Sequence, residues 1–230
     1  MTLGVFIQVR LGSTRLPAKA LLPLSGGTII QHVMRSMSLV PADVHALVTE
    51  AGSAEALAPF AREEGFAVFV GPEDDVLARY CMASRKYGVD TVIRATGDNP
   101  LTSAGLARSI LAEHRRCGAD VSHYIGVPLG SGVEVIRSES LHAAEREGVD
   151  PADREHVTPF LYRHRERFRI EEPKAPPGFE LPEARVTVDT EQDYLLVKRI
   201  FEELYRGAPI EALEIVSWFR AAAARAGGQG

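Results

Sequence analysis

The chain has 230 residues, 45% apolar and 25% charged, and a formal net charge of −5. These values suit one large α/β domain with a sizeable core, and they exclude a general nucleic-acid role, because no cationic surplus exists to neutralise a phosphate backbone. Cys81 and Cys117, outside any CxxC pair, read as reduced thiols rather than a disulfide or zinc site.

The start, MTLGVFIQVR, lacks a basic segment followed by a long apolar core, and no apolar run approaches a bilayer span. A cytoplasmic protein with no membrane or nucleic-acid partner is therefore expected. Val5–Val9 is short, apolar and rich in β-branched and aromatic residues, so it reads as a buried strand. Helical spacing predicts a helix over Thr28–Leu39, followed by a strand at Val44–Val48 and a helix at Ala54–Glu64. A strand at Ala67–Val70, a helix at Asp74–Tyr87, a strand at Thr91–Arg94 and a helix at Ser103–Arg116 follow. This alternation predicts parallel strands with helices on both faces.

The second half is less regular. Strands are predicted at Ala119–Tyr124, Val133–Ile136 and Arg185–Val188. Helices are predicted at Ser138–Glu147, at Asp153–Arg167 with an interruption at Pro159, at Glu191–Tyr205 and at Ile210–Ala224. Lys174–Pro182 carries three prolines and a glycine and reads as a loop, and the tail AGGQG reads as frayed. No internal repeat or long linker divides the chain.

Between the first strand and the apolar run Ala20–Leu24 lies QVRLGSTRLPAK, Gln8–Lys19. It holds three cations (Arg10, Arg15, Lys19), two hydroxyls (Ser13, Thr14), a glycine that permits unusual backbone angles and a proline. Such a loop turns backbone N–H groups and fixed charge toward one anion, and in parallel sheets ligands bind at this carboxyl end. Neither GxxxxGK[ST] nor GxGxxG is present. The plain alternative is a set of solvated loop charges.

Two carboxylates also end apolar strands: Asp98 after TVIRATG and Asp189 after ARVTV. Magnesium typically takes one or two protein carboxylates together with substrate phosphates. A turn residue is the alternative for Asp98, and a helix N-cap the alternative for Asp189; taken with the cationic loop, both read as metal ligands. His114, His123, His142 and His164 show no zinc spacing, and Trp218 reads as core or dimer packing.

The run from Arg10 to Lys19, RLGSTRLPAK, resembles the signature of the cytidylyltransferases that make CMP-activated acidic sugars. The spore-coat polysaccharide branch is the nearest, with the CMP-Kdo and CMP-sialate synthetases related to it. GPEDDVLARY (Gly71–Tyr80), RATGDNPL (Arg94–Leu101), REHVTPF (Arg154–Phe160) and VTVDTEQD (Val186–Asp193) resemble that branch in the same order. The resemblance implies a three-layer α/β/α nucleotidyltransferase fold, glycosyltransferase-A-like and Rossmann-like, with a mostly parallel central sheet. It implies one domain over residues 1–230, in which about 120–182 bind the acceptor and dimerise, and a homodimer that uses CTP and Mg2+.

Carried over, Gln8, Arg10, Leu11, Gly12, Ser13, Arg15, Lys19, Asp75, Arg79 and Thr96 would bind CTP. Arg15, Lys19, Asp98 and Asp189 would be catalytic, the two aspartates as metal ligands. Arg94, Asn99, Gly130, Ser131, Glu134, Arg154 and His156 would meet the acceptor. Where the branch reads like PDGxDVE, this chain reads PLGSGVE (Pro128–Glu134), so two acidic positions have become Leu129 and Gly132. That change keeps a sugar acid and a small phosphonate both open as acceptor. A sugar-nucleotide glycosyltransferase and a non-catalytic nucleotide sensor remain the alternative functions.

Overall fold

The computed structural model describes residues 1–13 and 15–227. Thr14, one of the two loop hydroxyls, and the tail residues 228–230 lie outside them. In chain order the elements are β1 (Leu3–Gln8), a 3₁₀ turn (Lys19–Leu21), β2 (Pro23–Leu24), β3 (Gly27–Thr28), α1 (Ile29–Met37), β4 (Val44–Thr49), α2 (Ala51–Glu63), β5 (Ala67–Val70), α3 (Val76–Tyr87) and β6 (Thr91–Thr96). Then come α4 (Ala104–Cys117), β7 (Val121–Ser122), β8 (Glu134–Arg137), α5 (Ser138–Glu147), α6 (Pro151–His156), α7 (Pro159–Arg163), β9 (Ile170–Glu171), α8 (Glu191–Leu204) and α9 (Ala212–Gly227).

Among the described residues the main sheet has seven strands in the order β5-β4-β1-β6-β8-β7-β9. β5, β4, β1 and β6 run parallel, β8 is antiparallel to β6 and β7, and β7 and β9 are parallel. Alternation along β1 explains the layering, because successive side chains point to opposite faces. Leu3, Val5 and Ile7 pack with α1, α2 and α4, whereas Phe6 packs with Leu77 and Tyr80 of α3 and Leu141 of α5. A third cluster joins Val197, Ile200 and Phe201 of α8 and Ile215 and Trp218 of α9 to Val186 and Val188. The fold is a three-layer α/β/α arrangement with a mostly parallel centre.

Several element boundaries differ from expectation. Thr28 is not the first helical residue but the N-cap of α1, in a capping box with Gln31. Ala119–Tyr124 contributes only the two residues of β7. Arg185–Val188 makes an isolated bridge, Leu129 to Arg185, rather than a strand, because its main-chain bonds are divided between the 128–131 turn (Val186 N–H to the Leu129 carbonyl) and the turn after β6 (Val188 N–H to the Asp98 carbonyl). The helix expected over Asp153–Arg167 is two short ones, and the break falls at Val157, before Pro159. Val157 has φ 75° and ψ −52°, and Thr158 N–H donates to the His156 carbonyl at 2.9 Å. This is a γ-turn of the rare, strained hand. A β-branched residue holds such angles only where its surroundings impose them, and Val157 is fully buried.

Candidate active site

A cleft of about 300 Å³ opens at the carboxyl ends of β1 and β6, a size within the usual range for small-molecule sites of about 300–1,000 Å³. Of the residues expected to act, Gln8, Arg10, Gly12, Ser13, Arg15, Lys19, Arg79, Thr96, Asp98, His156 and Asp189 line it. They come from five separate stretches of chain.

The loop after β1 is held by its own backbone and by α2. The Leu11 carbonyl accepts from Ser13 N–H at 2.9 Å and Ala18 N–H at 3.1 Å, and Leu11 N–H donates to Ser53 Oγ at 2.8 Å. Ser53 Oγ in turn donates to Glu50, the N-cap of α2. The left-handed residue of this loop is Ala18, at φ 50°, and not Gly12, whose φ lies outside the left-handed region. A Cβ at Gly12 would meet nothing within 4 Å, so the position is open to the cleft rather than sterically tight.

The aspartates are brought together by one main-chain contact. Val188 N–H donates to the Asp98 carbonyl at 2.9 Å, which sets the two segments that carry Asp98 and Asp189 side by side. Gly97 makes the turn possible: a Cβ there would lie 2.8 Å from the Val9 side chain. Asp189 is not the cap of α8. Thr190 is, in a capping box with Asp193, and Asp193 also accepts from Asp189 N–H at 3.0 Å. The Asp189 carboxylate is thereby left free to face Lys19.

Lys19 Nζ lies 2.6 Å from Asp98 Oδ2 and 2.7 Å from Asp189 Oδ1, and donates to the Val188 carbonyl at 2.7 Å. Arg15 reaches Asp189 Oδ1 at 3.2 Å, and Arg185 pairs with Asp189 Oδ2. Burial alone would raise the Asp189 carboxyl, but Lys19, then Arg15 and Arg185, reverse this, and its pKa lies below the usual value. Asp98 and Asp189 thus present two hard oxygen ligands around one point. That is the set magnesium takes from a protein when phosphates complete its shell, so the residues fit the ion.

Other expected residues stand behind the cleft. Asp75 caps α3 by accepting from Ala78 N–H at 2.8 Å, and Arg154 lies 3.4 Å from it. Asn99 Nδ2 donates to Thr96 Oγ1 at 2.5 Å. Gly130 and Ser131 are buried; a Cβ at Gly130 would stand 2.7 Å from Thr187 N, and Ser131 Oγ donates to the Pro128 carbonyl. Arg94 and Glu134 pair with each other at 2.6 Å. None of these seven lines the cleft, and nor does Leu11.

Arg79 is 2% exposed, and Nε and Nη2 both donate to the Pro72 carbonyl, at 2.9 and 2.7 Å. It therefore ties down the 72–73 segment, and burial lowers its pKa. Val9, Ala20, Val76, Gly97 and Glu155 also line the cleft, and the sequence assigns a role to none of them. Val76, Gly97 and Glu155 lie inside recognisable motifs, whereas Val9 and Ala20 carry no signal beyond flanking the cationic loop.

A cationic loop and paired carboxylates on the carboxyl rim of a three-layer α/β fold define a nucleotidyltransferase. The chain belongs to the cytidylyltransferase family, whose model matches residues 5–216. It is 30% identical over 218 residues to the spore coat polysaccharide biosynthesis protein SpsF of Bacillus subtilis, covering 92% of this chain and 91% of that one. A cytidylyltransferase from Leptospira borgpetersenii superposes with a TM-score of 0.89 at 23% identity, covering 97% and 96% of the two chains. A CMP:2-keto-3-deoxy-manno-octonic acid synthetase complexed with CTP superposes with a TM-score of 0.67 at 18% identity, covering 89% of this chain and all of that one.

Proposed function

We propose that the protein transfers CMP from CTP to a small acidic acceptor, a sugar acid or a phosphonate, and releases pyrophosphate. The observation that carries this reading is the convergence of Arg10, Arg15, Lys19, Asp98 and Asp189 on one cleft. Arg10, Arg15 and Lys19 would hold the triphosphate. An acceptor oxygen attacks the α-phosphorus as the bond to the bridging oxygen breaks, and that oxygen leaves with pyrophosphate. No covalent enzyme intermediate is needed, so the residues contribute positioning and charge neutralisation.

Asp98 and Asp189 would hold magnesium, which when bound neutralises charge on phosphate oxygens. Lys19, which bridges both carboxylates here, would turn its ammonium to the phosphates as the nucleotide enters. The Leu129 and Gly132 departures support an acceptor that needs fewer carboxylate partners for hydroxyls. Calorimetric titration with CTP, UTP, ATP and GTP, with and without magnesium, tests the reading. Selective, magnesium-strengthened CTP binding followed by pyrophosphate release with sugar acids or phosphonates is expected. Preference for UTP or a nucleotide-sugar would overturn it.

A further inference from the structure

Gln8 is the last residue of β1 and lines the cleft. Its side-chain oxygen accepts from Arg94 Nε at 3.0 Å. A guanidinium only donates, so the atom facing it must be the amide oxygen, and the NH2 must point the other way. Among the described residues that NH2 has no partner, yet it is not among the buried unsatisfied atoms, so it is open to the cleft.

Arg94 is itself held. Its Nη1 donates to Glu134 Oε2 at 2.6 Å, and Glu134 Oε1 accepts from Tyr162 at 2.8 Å and from Thr158 at 3.1 Å. The sheet register places Arg94 beside Phe6 and opposite Glu134. Phe6 and Gln8 share a face of β1, so the guanidinium runs along that face to reach Gln8. Burial alone would discharge both partners. Glu134 reverses this for Arg94, whose pKa is raised, and Arg94 reverses it for Glu134, whose pKa is lowered, so the pair stays ionised.

We infer that Arg94 and Glu134 are positioning residues that fix the Gln8 amide so that its NH2 donates to an acceptor atom on the uncharged nucleoside part of the nucleotide. The inference rests on the proposed reading and narrows it. The charged donors Arg15 and Lys19 pair with the carboxylates and Arg10 lines the same cleft, where a triphosphate and metal belong. Gln8 supplies a neutral donor, which matches a carbonyl, ring nitrogen or hydroxyl rather than a phosphate. Arg94 and Glu134 then act through Gln8 instead of touching the acceptor.

The test is calorimetric titration of magnesium-CTP and of inorganic tripolyphosphate against the whole protein and its variants. Gln8→Leu is expected to weaken CTP about tenfold, the size of one hydrogen bond, and to leave tripolyphosphate unchanged. Gln8→Glu, which keeps an oxygen toward Arg94 but turns a carboxylate oxygen toward the nucleoside, is expected to weaken CTP more. Arg94→Lys retains a cation for Glu134; it is expected to weaken CTP in the wild-type background and to add nothing in the Gln8→Leu background. CTP affinity within twofold of wild type in Gln8→Leu overturns the inference. So does an Arg94→Lys effect of the same size in both backgrounds, which marks a merely structural role. Failure of the wild type to bind CTP selectively overturns the proposed reading itself, and this inference with it.

Discussion

Two clusters of charge flank the same strand pair and are built to opposite ends. On the rim, Lys19, Arg15, Arg185, Asp98 and Asp189 line or border an open cleft. Farther inward along β6, Arg94, Glu134, Tyr162 and Thr158 satisfy one another on the face of the sheet, off the cleft lining. The rim pairs are exchangeable, since a phosphate or metal offers each partner an equivalent contact. The inner pairs are not, because removal of one member leaves a charge in a poorly solvated place. On the proposed reading, charged residues in motifs divide into those that meet ligand and those that aim what meets ligand.

The largest effect expected from breaking this division is at Asp98. Asp98→Asn should lower pyrophosphate release by about 100-fold or more, a size typical of lost electrostatic stabilisation, with a thermal midpoint within a few degrees of wild type. Full turnover in that variant would remove Asp98 from the rim set. Lys19→Met comes next: CTP affinity should fall about 10-fold to 100-fold, on the scale of a lost charged hydrogen bond. Manganese binding without nucleotide, measured by electron paramagnetic resonance, should strengthen because the carboxylates lose their resident cation.

The inner cluster should respond in stability instead. Glu134→Leu leaves Arg94 unpaired and should cost about 3 kcal/mol in urea unfolding, and a cost under about 0.5 kcal/mol would make the pair a surface contact. A pH series gives a smaller effect. His114, buried against Ser122, titrates at about 4 because of burial first and Arg137 next. The unfolded chain binds that proton near 6.5, so stability should fall as pH drops from about 6.5 to about 4. His114→Gln should flatten this slope. Ala18→Gly should give the smallest change, a gain of at most about 1 kcal/mol from relief of the left-handed backbone.

Much of this was legible without coordinates. The β1 run, the alternation through α4 and the cationic loop follow from periodicity and turn chemistry, and eleven of the expected residues line one cleft. The second half was read less well for a physical reason. Its strands are two to four residues long and its helices as short as five, too brief for a period to register. The interruption near Pro159 was legible, but its form, a γ-turn at the buried Val157 two residues earlier, was not, since burial rather than local propensity holds that angle. Val9 and Ala20 were missed because an apolar residue flanking a loop looks the same whether it walls a cleft or a core.

By itself the sequence determined the layered fold class, the family motifs and where cations and carboxylates are concentrated, because these depend on local pattern and on charge carried by each side chain. Only the tertiary structure decided which charges face the cleft and which face each other. Asp98 and Asp189 are far apart in the chain, and they meet through the bond from Val188 N–H to the Asp98 carbonyl and through Lys19, which pairs with both carboxylates. The resemblance assigns Arg94 and Glu134 to the acceptor separately, and only the register sets Arg94 beside Phe6 and opposite Glu134. A side chain's partner is chosen by the strand next to its own, and strand order is a property of the whole packed sheet.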